Sequence, residues 1–273
     1  MPFMKKTIII LLALIFTAPF TLFLSGCQEK ESSAEEEPGQ MFYELRIYRL
    51  TDQGKNALFD QYMKDAFIPA MHRHGIPSVG VFKPVEADTA FGKMLYVFIP
   101  YADLSQYTEV LNALESDGVY LSDGSDFLDA PWDDPPFVRY ESILMKAFSF
   151  MPHYRIPSYD NSPEERIYEL RSYGSWTEEK ATKKIHMFNE GGEMAIFEKI
   201  GSNAVFYGQV LFGSLKPRLM YMTTYSDMTS QQEHWDAFRV HPDWAALSVK
   251  PEYANTVISA DAFLLHPTDY SDF

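Results

Sequence analysis

The hexapeptide YELRIY occupies residues 43–48, and YELRSY occupies residues 168–173, 125 positions later. Each sets a Glu and an Arg two positions apart among aromatic and aliphatic residues. Two further blocks follow in the same order at nearly the same offset, which marks an internal repeat. HGIPSVGVF (74–82) aligns with IGSNAVFYG (200–208), and KMLYVFIPYADL (93–104) aligns with RLMYMTTYSDM (218–228). The chain is therefore read as two copies of one unit, 41–149 and 166–273, joined by a Pro-containing polar linker at 150–165.

Within each copy the pattern predicts strand, helix, strand, strand, helix, strand. Residues 42–50 alternate as a half-buried strand does. Asp52 offers an N-cap to a helix with Leu58, Phe59, Tyr62, Met63, Ala66 and Phe67 at helical spacing, closing at Gly75. Strands are expected at 78–83 and 94–100, then a helix capped by Asp103, then a strand over 137–148. In the second copy Thr177, Glu178 and Glu179 open the first helix, and strands are expected at 204–210, 219–224 and 256–265. Its second helix carries Trp235 and Phe238, and Pro242 suits the first turn of a short helix after it. A βαββαβ unit is the ferredoxin-like arrangement, with two helices on one sheet face and the other face bare. The bare face needs a cover, and the twin copy supplies one. The expected fold class is thus α+β, two tandem ferredoxin-like units packed sheet to sheet.

The N-terminus is different in kind. Lys5 and Lys6 precede an apolar run over 7–24, interrupted by Pro19, and small residues lead to Cys27, the only cysteine. That layout predicts a signal peptide over 1–26. LSGC (24–27) resembles the lipobox of bacterial lipoproteins, which implies cleavage before Cys27 and a lipid on its sulfur. A membrane contact through that anchor and a place in the bacterial cell envelope follow as expectations. With one cysteine, no disulfide can form within the chain. Residues 27–40, polar and acidic, are expected to be a tether. Without residues 1–26 the chain keeps 21 Lys and Arg against 38 Asp and Glu, a formal charge of −17. So acidic a body repels phosphate backbones, and no nucleic-acid partner is expected.

Several blocks together resemble the NIPSNAP family. They are MFNEGGEMAIFEKIGSNAVFYGQVLFG (187–213), LMYMTTYSDM (219–228), HPDWAAL (241–247) and LLHPTDYSDF (264–273), with FYELRIY (42–48) and FLDAPWDDPPFVRYESILMKAF (127–148) in the first copy. The resemblance spans 41–273 and implies a dimeric α+β-barrel built within one chain. It brings no catalytic motif with it.

Candidate site residues come from strand alternation. If Tyr43, Leu45 and Ile47 pack on the helices, then Glu44, Arg46 and Tyr48 face the other copy, and Glu169, Arg171 and Tyr173 do the same. Two readings stay open. Either an Arg binds an anionic or carbonyl group in a polar lumen with a carboxylate as base, or the charges pair across the two sheets and fix their register. His72 and His74 sit at a helix C-terminus, two residues apart, which is poor spacing for a shared metal. His186, Asn189 and Glu193 flank Gly191-Gly192, a pair that must break or kink its helix. Asp123, Asp126, Asp129, Asp133 and Asp134 lie in one loop without the spacing of a calcium-binding loop. Tyr96, Phe98, Tyr207, Tyr221 and Tyr225 could line an apolar lumen or simply fill a core. No G-x-S-x-G, H-E-x-x-H, Walker or G-x-G-x-x-G motif occurs. No metal or cofactor is expected, and a homo-oligomer is compatible with the pattern. The expected function is a lipid-anchored module that binds a small, partly apolar ligand or a partner. The alternative is a cofactor-independent enzyme, monooxygenase- or isomerase-like, using polar lumen residues.

Overall fold

The sheet is a closed ring of eight strands in this computed structural model, which describes residues 39–273 apart from Ser214. The signal segment, Cys27 and nearly all of the acidic stretch lie outside the described residues. The first copy supplies β1 (Phe42–Leu50), β2 (Gly80–Pro84), β3 (Met94–Tyr101) and β4 (Phe137–Ala147). The second supplies β5 (Ile167–Gly174), β6 (Asn203–Phe212), β7 (Arg218–Tyr225) and β8 (Ser259–Pro267). Around the barrel the order is β1-β3-β2-β8-β5-β7-β6-β4. Each copy therefore contributes four contiguous strands in ferredoxin-like order, and all neighbours are antiparallel. Two short seams close the ring: β2 to β8 from Phe82↔Pro267 to Pro84↔Leu265, and β4 to β6 from Leu144↔Phe212 to Ala147↔Gly208.

Helices form where caps and apolar spacing call for them. Asp52 accepts from the Gly54 amide at 2.7 Å, and the chain then enters α1 (Asn56–Gln61), a π-helical segment at Tyr62–Phe67, and α2 (Ile68–Arg73). Gly75, at φ 84°, ends the run in the left-handed conformation that glycine tolerates. Asp103 caps α3 (Leu104–Ser116), followed by α4 (Gly118–Asp123) and α5 (Ser125–Leu128). In the second copy Thr177 caps α6 (Glu178–Phe188), and α7 (Glu193–Lys199) follows the glycine pair. Asp227 caps α8 (Met228–Val240), and α9 (Pro242–Ser248) starts at proline. Among the described residues no helix is long and apolar enough to cross a membrane.

The first helix of each copy is thus interrupted at the same level, by a π turn in one and by Gly191-Gly192 in the other. Gly192 has φ 92°, and a Cβ on Gly191 would stand 2.5 Å from the Met187 carbonyl oxygen. The pair serves a tight backbone approach. Gly191→Ala must push that backbone aside, so a loss of about 1–3 kcal/mol is expected. A thermal melt followed by circular dichroism checks it; an unchanged midpoint would mean the turn yields freely.

The strand faces are the reverse of the sequence expectation. Tyr43, Leu45 and Ile47 point into the barrel, where they meet Phe82, Tyr96, Phe98, Tyr168, Leu170 and Phe206 from both copies. Phe98 stacks on Phe206 at 4.6 Å between centroids, and Tyr43 lies 5.2 Å from Phe98. Glu44, Arg46, Tyr48 and their twins turn outward, under the helices. An enclosed lumen packed with apolar side chains from two sheets offers a charge no partner, so the apolar set takes it. Beneath the helices, Tyr, Ser, Gln and Trp side chains can reach the carboxylates. Tyr207 and Tyr221 also sit on the helix side, whereas Tyr96 and Phe98 are in the lumen.

Candidate functional site between sheet and helices

The charge pairs close within each strand, not across the two sheets. In the first copy Arg46 donates Nε and Nη2 to Glu44 at 2.8 and 3.0 Å, a bidentate pair. Ser142 (2.6 Å) and Tyr101 (3.1 Å) also donate to that carboxylate, which is 2% exposed. Burial pushes the Glu44 carboxyl up, but the Arg46 charge and these hydrogen bonds outweigh it and hold the group below its ordinary value. Arg46 lies over the Phe67 ring at 5.2 Å, so the π turn delivers an aromatic face to the guanidinium. Tyr62 stacks on Phe127 at 4.0 Å and shares a 2.6 Å hydrogen bond with Tyr120. What remains open here is a cavity of about 310 Å³ lined by Arg46, Tyr48, Tyr62, Tyr120 and Tyr140.

The second copy is more polar and more open. Glu169 Oε1 pairs with Arg171 Nη1 at 2.5 Å, while its Oε2 accepts from Trp235 Nε1 (2.6 Å) and Gln231 Nε2 (2.9 Å). Arg171 donates Nε to the Tyr173 hydroxyl at 3.0 Å, and that hydroxyl shares a 2.9 Å hydrogen bond with Tyr221. The guanidinium lies 4.4 Å from the Trp235 ring centroid. Register sets Ala262 and Leu264 of β8 beside Arg171 and Glu169, leaving low ground on the sheet. Above it α6, α7, α8 and α9 hold Lys184, Glu193, Phe197, Trp235, Phe238 and Trp244 around a cavity of about 560 Å³.

A second ion pair faces this cavity. Lys184 Nζ meets Glu193 Oε2 at 2.7 Å, with the residues only 5% and 3% exposed. The ammonium is ringed by Phe188 (4.7 Å), Tyr173 (5.7 Å) and Trp244 (5.9 Å). Burial raises the Glu193 carboxyl above its ordinary range, and Lys184 and Arg171 offset this only in part. Tyr173 is likewise raised, by burial first, against the pull of Arg171.

The other candidates fall elsewhere. His186, exposed, bonds Tyr253 at 2.8 Å. Asn189 is buried but structural: its Oδ1 accepts from the Phe150 amide at 3.1 Å and its Nδ2 donates to Ile185 O at 2.9 Å. His72 pairs with Asp272, and His74 with Asp117, each at 2.9 Å and away from both cavities. Asp134 of the acidic loop pairs with Lys55, and among the described residues no group of three or more His, Cys, Asp or Glu side chains could hold a metal. Sequence reasoning missed Lys184, Gln231, Trp235 and Trp244 as site residues. For Lys184 a signal was present: it follows Phe59 by the repeat offset of 125, a charge on an apolar helical stripe.

Eight antiparallel strands from two ferredoxin-like halves, with a cavity between sheet and helices in each half, define an α+β-barrel protein of the dimeric type folded from one chain. The chain belongs to the NIPSNAP family, whose family model matches residues 43–131 and 168–272. A "putative monooxygenase" from Lactobacillus acidophilus shares the fold at TM-score 0.54 and 11% identity, covering 84% of this chain and 94% of its own. A second, from Fusobacterium nucleatum, matches at TM-score 0.53 and 9% identity, over 84% and 93%. A NIPSNAP family protein from Agrobacterium tumefaciens has 22% identity over 40% of this chain and 98% of its own, at TM-score 0.33. No curated protein matches the sequence.

Proposed function

We propose that the protein binds a small, partly apolar ligand carrying an anionic or carbonyl oxygen, in the sheet–helix cavity of its second copy. The observation that carries this is Arg171, clamped by Glu169, Tyr173 and Trp235 yet lining an open cavity of about 560 Å³ with aromatic walls. Its Nε and Nη1 are engaged, and among the described residues Nη2 makes no hydrogen bond. The first copy's Arg46 is held bidentately by Glu44 in a smaller cavity, so the second copy is the better receptor. The lipobox-like LSGC supports anchoring on Cys27, which labelled-palmitate incorporation tests: Cys27→Ser is expected to abolish it.

The binding test is titration of tryptophan fluorescence with 2-naphthoate, since Trp235 and Trp244 wall the cavity. Saturable quenching is expected, weakened about 10-fold or more in Arg171→Lys, which keeps the charge and removes the planar fork. Equal affinity in that variant, or no saturation, would count against the reading. A second reading, proton-transfer catalysis, draws on one observation: Glu193, a carboxyl raised by burial, lines the same cavity as Arg171.

A further inference from the structure

We infer that Lys184 is a reactive amine that captures an aldehyde or ketone ligand as an imine in the second-copy cavity. The inference rests on that cavity being the binding site and names the ligand class it takes.

The internal repeat provides the first argument. The position 125 residues before Lys184 is Phe59, which is 0% exposed and packs on Tyr48 at 5.0 Å. Lys184 occupies the same place, lying 5.7 Å from the Tyr173 ring, and Tyr173 is the twin of Tyr48. Glu193 aligns with the stretch Phe67 and Ile68, both buried. One fold, built twice, therefore shows that these two places pack well with apolar side chains. An ion pair there is not needed for folding, and burying one gives little or no net stability over apolar residues of similar volume. Its presence beside the larger cavity calls for a chemical explanation.

Chemistry provides the second. A lysine nucleophile needs its lone pair, so the ammonium must first pass a proton to a neighbouring base. Phe188, Tyr173 and Trp244 surround Nζ, while Glu193 at 2.7 Å is placed to take its proton. The steps balance without any oxidant. Glu193 accepts a proton from the ammonium, and Nζ attacks the carbonyl carbon as the C–O π bond breaks. Glu193 returns the proton to that oxygen, giving a carbinolamine. It then takes the second proton from nitrogen and hands it to the hydroxyl, which leaves as water. The product iminium keeps one positive charge against the Glu193 carboxylate. The aromatic walls Phe197, Trp235, Phe238 and Trp244 suit an aryl carbonyl compound.

The test is incubation of the full-length protein with 2-naphthaldehyde and sodium cyanoborohydride, followed by intact mass and peptide mapping. One reduced adduct on Lys184, formed ahead of the surface lysines, is expected. In Lys184→Met with Glu193→Leu, which copies the apolar pairing of the first copy, that adduct should be lost while the native circular dichroism spectrum persists. Labelling spread over surface lysines, with naphthoate quenching intact, overturns imine formation and leaves the cavity reading standing. Absence of both quenching and adduct overturns the two together.

Discussion

Arg46→Met is expected to cost about 3–5 kcal/mol of folding stability at neutral pH, because it leaves the Glu44 carboxylate buried without its charge partner. Ser142 and Tyr101 would still donate at 2.6 and 3.1 Å, but two neutral donors do not replace a bidentate guanidinium. The pH dependence separates this from a simple packing loss. In the native protein Glu44 is held below its ordinary 4.5, so its contribution is complete above that value and fades as pH falls through the lowered one. Without Arg46, burial is the largest remaining influence and drives the carboxyl upward. The folded variant then binds a proton more readily than its unfolded chain, so its stability should rise as pH drops from 7 toward the ordinary value. Urea unfolding at a series of pH values gives opposite slopes for the two proteins if this is right. Parallel profiles would show that the lost stability comes from packing and not from a stranded charge.

Much of the fold was written in the repeat, and the reason is physical. Strand pairing needs alternation, and helix ends need caps; both are local patterns that survive in two copies. Asp52, Asp103 and Thr177 all cap helical runs as their positions suggested. The tight turn at Gly191-Gly192 was also foreseeable as a break, since two adjacent glycines weaken any helix. The direction in which β1 and β5 face was not foreseeable from alternation alone. Alternation divides a strand into two sets but does not say which set meets a twin sheet and which meets helices. Tyr43 and Leu45 enter the lumen because Phe98 of the neighbouring strand β3 and Phe206 and Tyr168 of the other copy fill it, side chains that lie 53 or more positions away in sequence.

That same limit hid the cavity. Glu169 is satisfied by Trp235 and Gln231, 66 and 62 residues further along, a separation that no local sequence pattern spans. Glu193 was visible as an odd charge beside a glycine pair, whereas its partner Lys184 was masked by an ordinary-looking KATKKIH helix face. Only superposing the two halves at the repeat offset exposes it, because the first copy carries Phe59 there. His72 and His186 illustrate the opposite case. Both have residue types suited to chemistry, yet helix ends and loops hold them at the surface, paired with Asp272 and Tyr253.

The other large effect concerns Lys184 and is a contrast between two variants. Lys184→Met alone should destabilise by about 3–5 kcal/mol near pH 7, since Glu193 loses the cation that offsets its burial. Burial already holds the Glu193 carboxyl above its ordinary 4.5 with Lys184 present, and removing the cation raises it further. A carboxyl raised in the folded state stabilises less as pH climbs through that higher value, so the single variant should recover on acidification. Adding Glu193→Leu should restore stability at pH 7 to the native level or above it. The first copy supplies the precedent, since Phe59, Phe67 and Ile68 fill the corresponding space with 0%, 1% and 6% exposure. Denaturant unfolding of the native protein, the single variant and the double variant closes the cycle, with a strongly favourable coupling expected between the two substitutions. A double variant no more stable than the single one would mean that the ion pair itself shapes this half of the molecule. Recovery of the fold with loss of the lysine instead separates what Lys184 does for the protein's chemistry from what it does for its packing.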